Sequence, residues 1–441
     1  MNPSQPGGPL RVALTTLGCK VNFAEMSELA GKLAAAGCDV VPEDEPADVR
    51  VLNSCTVTLQ ADATTRQRLA RLRRSDPRAH LVLTGCSVDA NPDRYPSGHA
   101  LANASTENGA AQPRGNVDAV FANGEKGFIA DYILELARAA GAAVQAQPSP
   151  CLRARAFLKV QDGCDHRCTY CTVWRARGKA VSVPPHLVVE RARALARQGH
   201  AEIVLCGVDL GWYGRDLNTN LAHLVAELLD TVPDVRLRLS SINANDIAAE
   251  LVALNAHERL CSHWHIPLQS GSDRVLKAMH RGYRRGQYRR IADELRGANP
   301  LTELTTDVMV AFPGETEADH EDTLALIEEV AFLSCHVFRY SPRRDTPAAA
   351  SGGHVADAVA RRRSVEVRRA AALTGRRARE RALGRVHEVV WDRVGDDEAH
   401  GLSSTYHEVA VPASAATVPG RLNQVRTERL DGDCLRGRLV G

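Results

Sequence analysis

The twelve residues Val160-Gln-Asp-Gly-Cys-Asp-His-Arg-Cys-Thr-Tyr-Cys171 constrain this chain more than any other stretch. They set Cys164, Cys168 and Cys171 in a C-x3-C-x2-C spacing directly after the apolar run from Ala156 to Val160. Cubane iron–sulfur clusters normally take four cysteine thiolates. A loop that offers three leaves one iron to a ligand from outside the protein. A zinc site would pair C-x2-C knuckles with a second pair roughly ten to twenty residues on, and none follows.

That spacing, with the aromatic Tyr170 before the last cysteine, resembles the radical S-adenosylmethionine superfamily. The chain has twelve cysteines, and Met1 to Pro9 is Pro/Gly-rich without a basic and apolar leader. Together these point to a reducing, cytoplasmic setting where thiols serve metals or catalysis rather than bridges. No apolar run reaches the roughly eighteen residues of a membrane span. A length of 441 residues calls for two or three domains.

From Leu10 onward, short β-like runs alternate with helical stretches, the pattern of a doubly wound α/β domain. Strands are expected at Arg11–Leu14, Val49–Leu52 and His80–Leu83. Each is followed within a few residues by a cysteine: Cys19, Cys55 and Cys86. In a parallel sheet, the carboxyl ends of the strands open on the edge where ligands bind, so the three are candidates for one site. Cys38 follows the helix stop at Gly37 and is read as a loop thiol outside the ligand set. Asn91–Asn116 reads as an irregular insertion and Ala142–Arg155 as a linker.

The runs Leu17-Gly-Cys-Lys-Val-Asn22, Asn53-Ser-Cys-Thr-Val-Thr58 and Leu83-Thr-Gly-Cys86 resemble those of the radical methylthiotransferases. The likeness spans nearly the whole chain. It implies two [4Fe-4S] clusters, an auxiliary one on Cys19, Cys55 and Cys86 and a second on Cys164, Cys168 and Cys171. The latter would bind S-adenosylmethionine at its open iron and yield the deoxyadenosyl radical. Both would then face one cavity. Lys20-Val21-Asn22 points to the branch acting on threonylcarbamoyladenosine beside the tRNA anticodon. Isopentenyl adenosine or a ribosomal-protein aspartate are the rival substrates, and a non-catalytic iron–sulfur RNA-binding protein is the rival class. The expected partners are tRNA and an electron donor such as flavodoxin or ferredoxin, with no membrane and a monomeric enzyme.

Six further β-like runs, Ala156–Gln161, Glu202–Val208, Arg236–Ser241, His263–Leu268, Thr305–Phe312 and His336–Tyr340, predict an incomplete (β/α)6 barrel. The chemistry of such barrels lies on the loops after the strands. The resemblance assigns S-adenosylmethionine contacts there to Tyr170, Gly207, Asp209, Ser240, Gln269, Glu315 and Arg339. His263 and His265 are read as core or mouth-lining groups. The chain departs from the family at Asn243-Ala244, where Glu-Pro is usual, at Ala311, and at Thr172-Val-Trp174-Arg. These bear on substrate contacts rather than on cluster ligands.

Arg361 to Arg385 holds ten arginines against two glutamates, a helix suited to solvent or to phosphates. Runs at His387–Trp391, His407–Pro412 and Leu435–Val440 predict a small β-barrel in the place of the family's TRAM domain, an RNA-binding module of OB type. Cys151, Cys261, Cys335 and Cys434 are read as structural or free thiols. The expected domains are residues 10–145, 150–380 and 381–441.

Overall fold

Val, Leu and Ala runs bounded by turn residues form five parallel strands near the amino terminus. These are β1 (Arg11–Thr16), β2 (Asp39–Val41), β3 (Val49–Ser54), β4 (His80–Gly85) and β5 (Ala119–Phe121), in the order β2-β1-β3-β4-β5. The computed structural model describes residues 8–56, 58–96, 98, 117–142 and 154–440. Most of the expected insertion and linker, and Cys151, lie outside them. The described chain divides into two compact units, residues 1–152 with 171–179, and residues 153–170 with 180–441.

In the first unit the sheet is covered on both faces, as parallel strands require. Val49, Val51, Val82 and Phe121 pack with Leu29 and Leu33 on one side. Leu52, Leu81 and Leu83 pack with Leu69 and Leu72 on the other. The strand order reverses between β1 and β3, the point where open α/β sheets leave a crevice for ligands. The short strand β2 was not legible from sequence. Cys38 sits just before it, buried in the core, and burial pushes its pKa up to about 11.

The second unit begins with β6 (Ala156–Lys159). A two-residue ladder of β7 (Gln161–Asp162) and β8 (Val181–Ser182) then stops β6 short of the expected Gln161. Parallel strands β9 (Glu202–Cys206), β10 (Arg236–Leu239), β11 (His263–His265), β12 (Glu303–Val310) and β13 (Ser334–Arg339) follow. They form sheets β10-β9-β6 and β11-β12-β13, linked by parallel bridges Leu237–Leu260 and Ser241–His265. Among the described residues no ladder joins β6 to β13. This is the open six-stranded β/α barrel, filled by Trp264, Tyr288, Phe332 and aliphatic side chains. His263 and His265 flank one hydroxyl, Thr305 Oγ1, which lies 2.9 Å from His265 Nδ1. His263 Nε2 meets Thr305 Oγ1 at 2.8 Å and its ring stacks on Tyr406 at 3.9 Å. His265 Nε2 faces Asp307.

At the carboxyl end, β14 (Val386–Val394), β15 (Glu398–Ser403), β16 (Glu408–Pro412), β17 (Leu422–Asp431) and β18 (Cys434–Leu439) close into a barrel around Val389, Trp391, Val409 and Val425. A buried ion triad joins it to the β/α barrel. Arg236 and Arg238 both pair with Glu202 at 2.7 Å and donate to barrel carbonyls of Glu388, Leu402 and Ser403. The helix Asp357–Arg381 spends much of its positive charge internally. Arg362 pairs with Glu317 and Glu366, Arg363 with Glu315, Arg376 with Glu380 and Arg379 with Asp433.

Candidate cluster sites

In the first unit, the loops after β1, β3 and β4 carry Cys19, Cys55 and Cys86 to one edge of the sheet. Cys19 is exposed and stands at the start of the helix Lys20–Ala35 without a side-chain capping bond, while Cys55 and Cys86 are buried. Two glycines set the approach. Gly18 has φ +96°, and a Cβ there would lie 2.7 Å from Cys55 Sγ. Gly85 has φ +99°, and its Cβ would lie 2.4 Å from the Ser54 carbonyl. Only glycine adopts such angles without strain and permits these contacts.

Polar side chains lock the loops together. Asn22 Nδ2 donates to the carbonyls of Leu17 at 2.7 Å and Ser54 at 3.0 Å, tying the Cys19 loop to that of Cys55. Asp62 Oδ1 accepts from Thr56 at 2.9 Å and Ser87 at 2.6 Å, the residues just after Cys55 and Cys86. Arg177, on the short helix Val173–Arg177 that belongs to this unit, donates from Nε to Cys86 Sγ at 3.2 Å. Its other nitrogens hold Glu25 and Asn22; burial raises the Cys19 pKa, and the Arg177 charge works against that rise. Three thiols brought to one sheet edge, with a guanidinium donating to one sulfur, are a donor set that fits an iron–sulfur cluster.

In the second unit, Gly163 at φ +74° turns the chain out of β7 into Cys164. Cys164 Sγ donates to Asp209 Oδ2 at 3.5 Å, and Arg281 Nη1 donates to Cys168 Sγ at 3.4 Å. His166, between the two cysteines, brings Nε2 to 3.0 Å from both Asp209 Oδ2 and Asp246 Oδ2. Burial lowers its pKa, but the two carboxylates outweigh burial and carry it up to about 10. The cationic ring therefore clamps the cysteine loop to the ends of β9 and β10. Cys171, three residues beyond Cys168 along the chain, belongs to the first unit, and its Sγ accepts from Val173 N at 3.4 Å.

Two family models match the chain, the radical SAM superfamily over residues 158–327 and uncharacterized protein family UPF0004 over residues 11–103. The chain is 34% identical over 446 residues to a threonylcarbamoyladenosine tRNA methylthiotransferase MtaB of Thermotoga maritima, covering 93% of this chain and 98% of that protein. The chain belongs to the radical S-adenosylmethionine methylthiotransferases. It is also 31% identical to a tRNA-2-methylthio-N(6)-dimethylallyladenosine synthase of Moorella thermoacetica, covering 97% of this chain and 98% of that one. Among solved structures, the radical S-adenosylmethionine methyltransferase TsrM of Kitasatospora setae matches with a TM-score of 0.53 at 12% identity, over 77% of each chain. That likeness concerns the fold alone.

Membership in this family brings S-adenosylmethionine and a [4Fe-4S] cluster to the methylthiotransferase chain. The residues expected to hold the former occupy varied places. Tyr170 lies edge-on to Phe312 at 6.5 Å, in a small apolar cluster with Val275 and Met279. Gly207 packs against Gln161, whose Oε1 a Cβ would meet at 2.8 Å, and Gln161 Oε1 also accepts from Asp209 N. Asp209 is buried and shared by Cys164, His166 and Asn243. The buried Ser240 Oγ has no hydrogen-bond partner among the described residues. Gln269 has φ +64°, and its backbone bridges to β12, the carbonyl accepting from Met309 N at 2.8 Å. Glu315 accepts from Ala311 N at 3.1 Å and pairs with Arg363 at 2.7 Å, so its carboxylate shapes the loop after β12. Arg339 is exposed at the end of β13. Sequence reasoning passed over His166, Asp246, Arg281 and Arg177. Their positions between or beside the cysteines in the fold depend on contacts far apart in sequence.

Proposed function

We propose that this chain adds a methylthio group to the adenine C2 of N6-threonylcarbamoyladenosine beside the tRNA anticodon. The observation that carries this reading is the gathering of Cys19, Cys55 and Cys86 at one sheet edge, in a chain that also carries the C-x3-C-x2-C loop. An enzyme needing a single cluster has no use for a second set of three thiols with an arginine donating to one of them. An auxiliary [4Fe-4S] cluster would be held by Cys19, Cys55 and Cys86, and the radical-generating one by Cys164, Cys168 and Cys171. When bound, the clusters and S-adenosylmethionine supply radical chemistry at a C–H bond too strong and too weakly acidic for side-chain acid–base work.

The chain's own groups prepare these sites. Arg177 and Arg281 donate to cysteine sulfurs, and His166 holds the cysteine loop to Asp209 and Asp246. Tyr170, Gly207, Asp209, Ser240, Gln269, Glu315 and Arg339 are assigned to the mouth that takes S-adenosylmethionine. Residues 10–145 form the auxiliary-cluster domain, 150–380 the radical core and 381–441 a TRAM-like RNA-binding domain. The partners are the anticodon stem-loop of tRNA and a flavodoxin or ferredoxin. The setting is the cytoplasm and the working form a monomer. Among the described residues no helix is long and apolar enough to cross a membrane.

The test is anaerobic reconstitution with iron and sulfide counted per chain, for the parent and for Cys164→Ala/Cys168→Ala/Cys171→Ala. About eight irons in the parent and about four in the variant support two cubane clusters. About four and none leave the first triad empty and overturn the reading. The comparably covering dimethylallyladenosine relative favours a second substrate reading. Incubation with tRNA bearing each modified adenosine, followed by nucleoside mass spectrometry, separates the two; a methylthiolated ribosomal-protein aspartate in place of either removes both.

A further inference from the structure

The segment that delivers Arg281 to Cys168 also lines an open groove of about 890 Å³. Its walls carry Arg274, Lys277, His280, Arg284 and Arg290, with Arg281 among the lining residues. One acid faces it, Asp273, whose Oδ1 already accepts the Arg285 N–H at 2.7 Å. Arg274 is paired with Asp319. Lys277, Arg284 and Arg290 are exposed and have no carboxylate partner among the described residues. Gly286 leaves the lining open, since a Cβ there would meet nothing within 4 Å.

Like charges crowd together at a cost unless an anion shares the space, and each arginine or lysine here could have been neutralised by a neighbouring carboxylate, as its neighbour Arg285 is by Asp322 and Glu329. The arginine-rich helix Asp357–Arg381 pairs Arg362, Arg363, Arg376, Arg379 and Arg381 with acids of the same unit but leaves Arg361, Arg369 and Arg377 exposed with no carboxylate partner among the described residues, so it is the rival phosphate surface. A concave run of unpaired cations suits a narrow polyanion that threads it, because phosphates spaced along a strand meet successive cations. A globular acidic partner instead needs a broad, complementary patch of roughly 800 Å².

We propose that the phosphate backbone of the substrate RNA docks in this groove on Lys277, Arg284 and Arg290, with its inner end at Arg281 beside the cysteine loop. This rests on the tRNA reading above and goes beyond it by naming the docking surface. The groove positions the strand without reading its sequence, since phosphate contacts carry register and not base identity.

The test compares the parent with Lys277→Gln/Arg284→Gln/Arg290→Gln and with a second variant, Arg361→Gln/Arg369→Gln/Arg377→Gln, on the long basic helix. All six positions are exposed, and circular dichroism verifies that both variants fold. Binding of an anticodon stem-loop RNA bearing threonylcarbamoyladenosine is followed by fluorescence anisotropy across a salt series. Each phosphate contact contributes about 0.7–0.9 to the slope of log K against log salt. The groove variant should therefore lose about 2–3 of that slope and show a raised KM for RNA, while S-adenosylmethionine cleavage with dithionite and no RNA stays at the parent's rate. An unchanged slope in the groove variant, with the loss in the helix variant instead, overturns the proposal and leaves the tRNA reading standing. Unchanged RNA binding with slower cleavage only when flavodoxin supplies electrons overturns it in favour of an acidic protein partner. A parent that binds no RNA removes both the proposal and the reading beneath it.

Discussion

Arg177 Nε donates to Cys86 Sγ at 3.2 Å while its Nη1 pairs with Glu25 at 2.7 Å. One buried guanidinium, 1% exposed, thus joins the last cysteine of the first triad to the helix that follows the first. Removing one partner of a buried ion pair costs roughly 3–5 kcal/mol because the other charge stays buried. Lys126, at 2.6 Å from Glu25, recovers part of that. Arg177→Met should lower the unfolding free energy of the chain by about 2–4 kcal/mol and reduce iron retained on Cys19, Cys55 and Cys86. Arg177→Lys should restore charge but not the forked geometry, and so recover stability more than iron. Denaturant unfolding of the apo chain and iron counts after reconstitution read the two effects apart. A methionine variant equal to the parent in both would remove Arg177 from the site.

Glu202 carries the attachment of the carboxyl-terminal barrel. It is fully buried, and Arg236 and Arg238 pull its pKa far below the usual carboxylate range against the cost of burial. Glu202→Gln leaves two guanidiniums facing each other without their anion, with an expected loss of about 3–5 kcal/mol. The same arginines donate to the Glu388, Leu402 and Ser403 carbonyls, so the barrel should become the first part to be cut. Limited proteolysis with mass spectrometry should find early cleavage near residues 382–386. Cleavage no faster than in the parent would show that apolar contacts alone hold the barrel.

What sequence revealed here follows physical range. The cysteine positions after β1, β3 and β4 were legible because alternation of strand and helix is local, and parallel topology then places all the strand ends on one edge. The six core strands were legible for the same reason, though β6 ended early because the Gln161–Asp162 ladder depends on a partner nineteen or more residues away in sequence. Strands β2, β15 and β17 were not. Asp39–Val41 is too short to show a period, and Leu422–Asp431 is largely exposed and polar. His166 and Arg281 could not be assigned, since a carboxylate pair and a sulfur met only in three dimensions define their roles. A Gly-Cys pair at Gly18, Gly85 and Gly163 was the available signal, each with positive φ.

Gly85 offers a direct test of how closely the loops of the first triad are fitted. Its φ of +99° lies where other residues are strained by about 1–3 kcal/mol, and a Cβ would meet the Ser54 backbone at 2.4 Å. Gly85→Ala should therefore destabilise the chain by at least about 2 kcal/mol and displace Cys86 from Arg177. Gly297, inside the helix Arg285–Ala298, has nothing within 4 Å of its Cβ position. Gly297→Ala should stabilise by about 0.5–1 kcal/mol. Thermal unfolding of both variants beside the parent measures the contrast, and similar shifts in the two would mean that the Gly85 approach is not rigid.

Acid should loosen the carboxyl-terminal barrel through His407. The ring is 3% exposed, and burial first, then the neighbouring His387, Arg379 and Arg381, bring its pKa down from 6.5 to about 3. The unfolded chain binds the proton below pH 6.5 while the folded barrel does not, so the unfolded state gains protons as pH falls. Stability is fully present above 6.5 and declines by about 1.4 kcal/mol per pH unit from this group alone. His387, also lowered by burial, adds to the same slope. Between pH 7.5 and about pH 5, the loss should reach about 2 kcal/mol for His407. His407→Gln starts from a lower stability, because a buried site is disturbed, but its pH dependence over that range should be shallower by the same amount. Urea unfolding of apo protein at both pH values gives the two slopes. Parallel slopes for parent and variant would mean that His407 takes up its proton within the folded barrel.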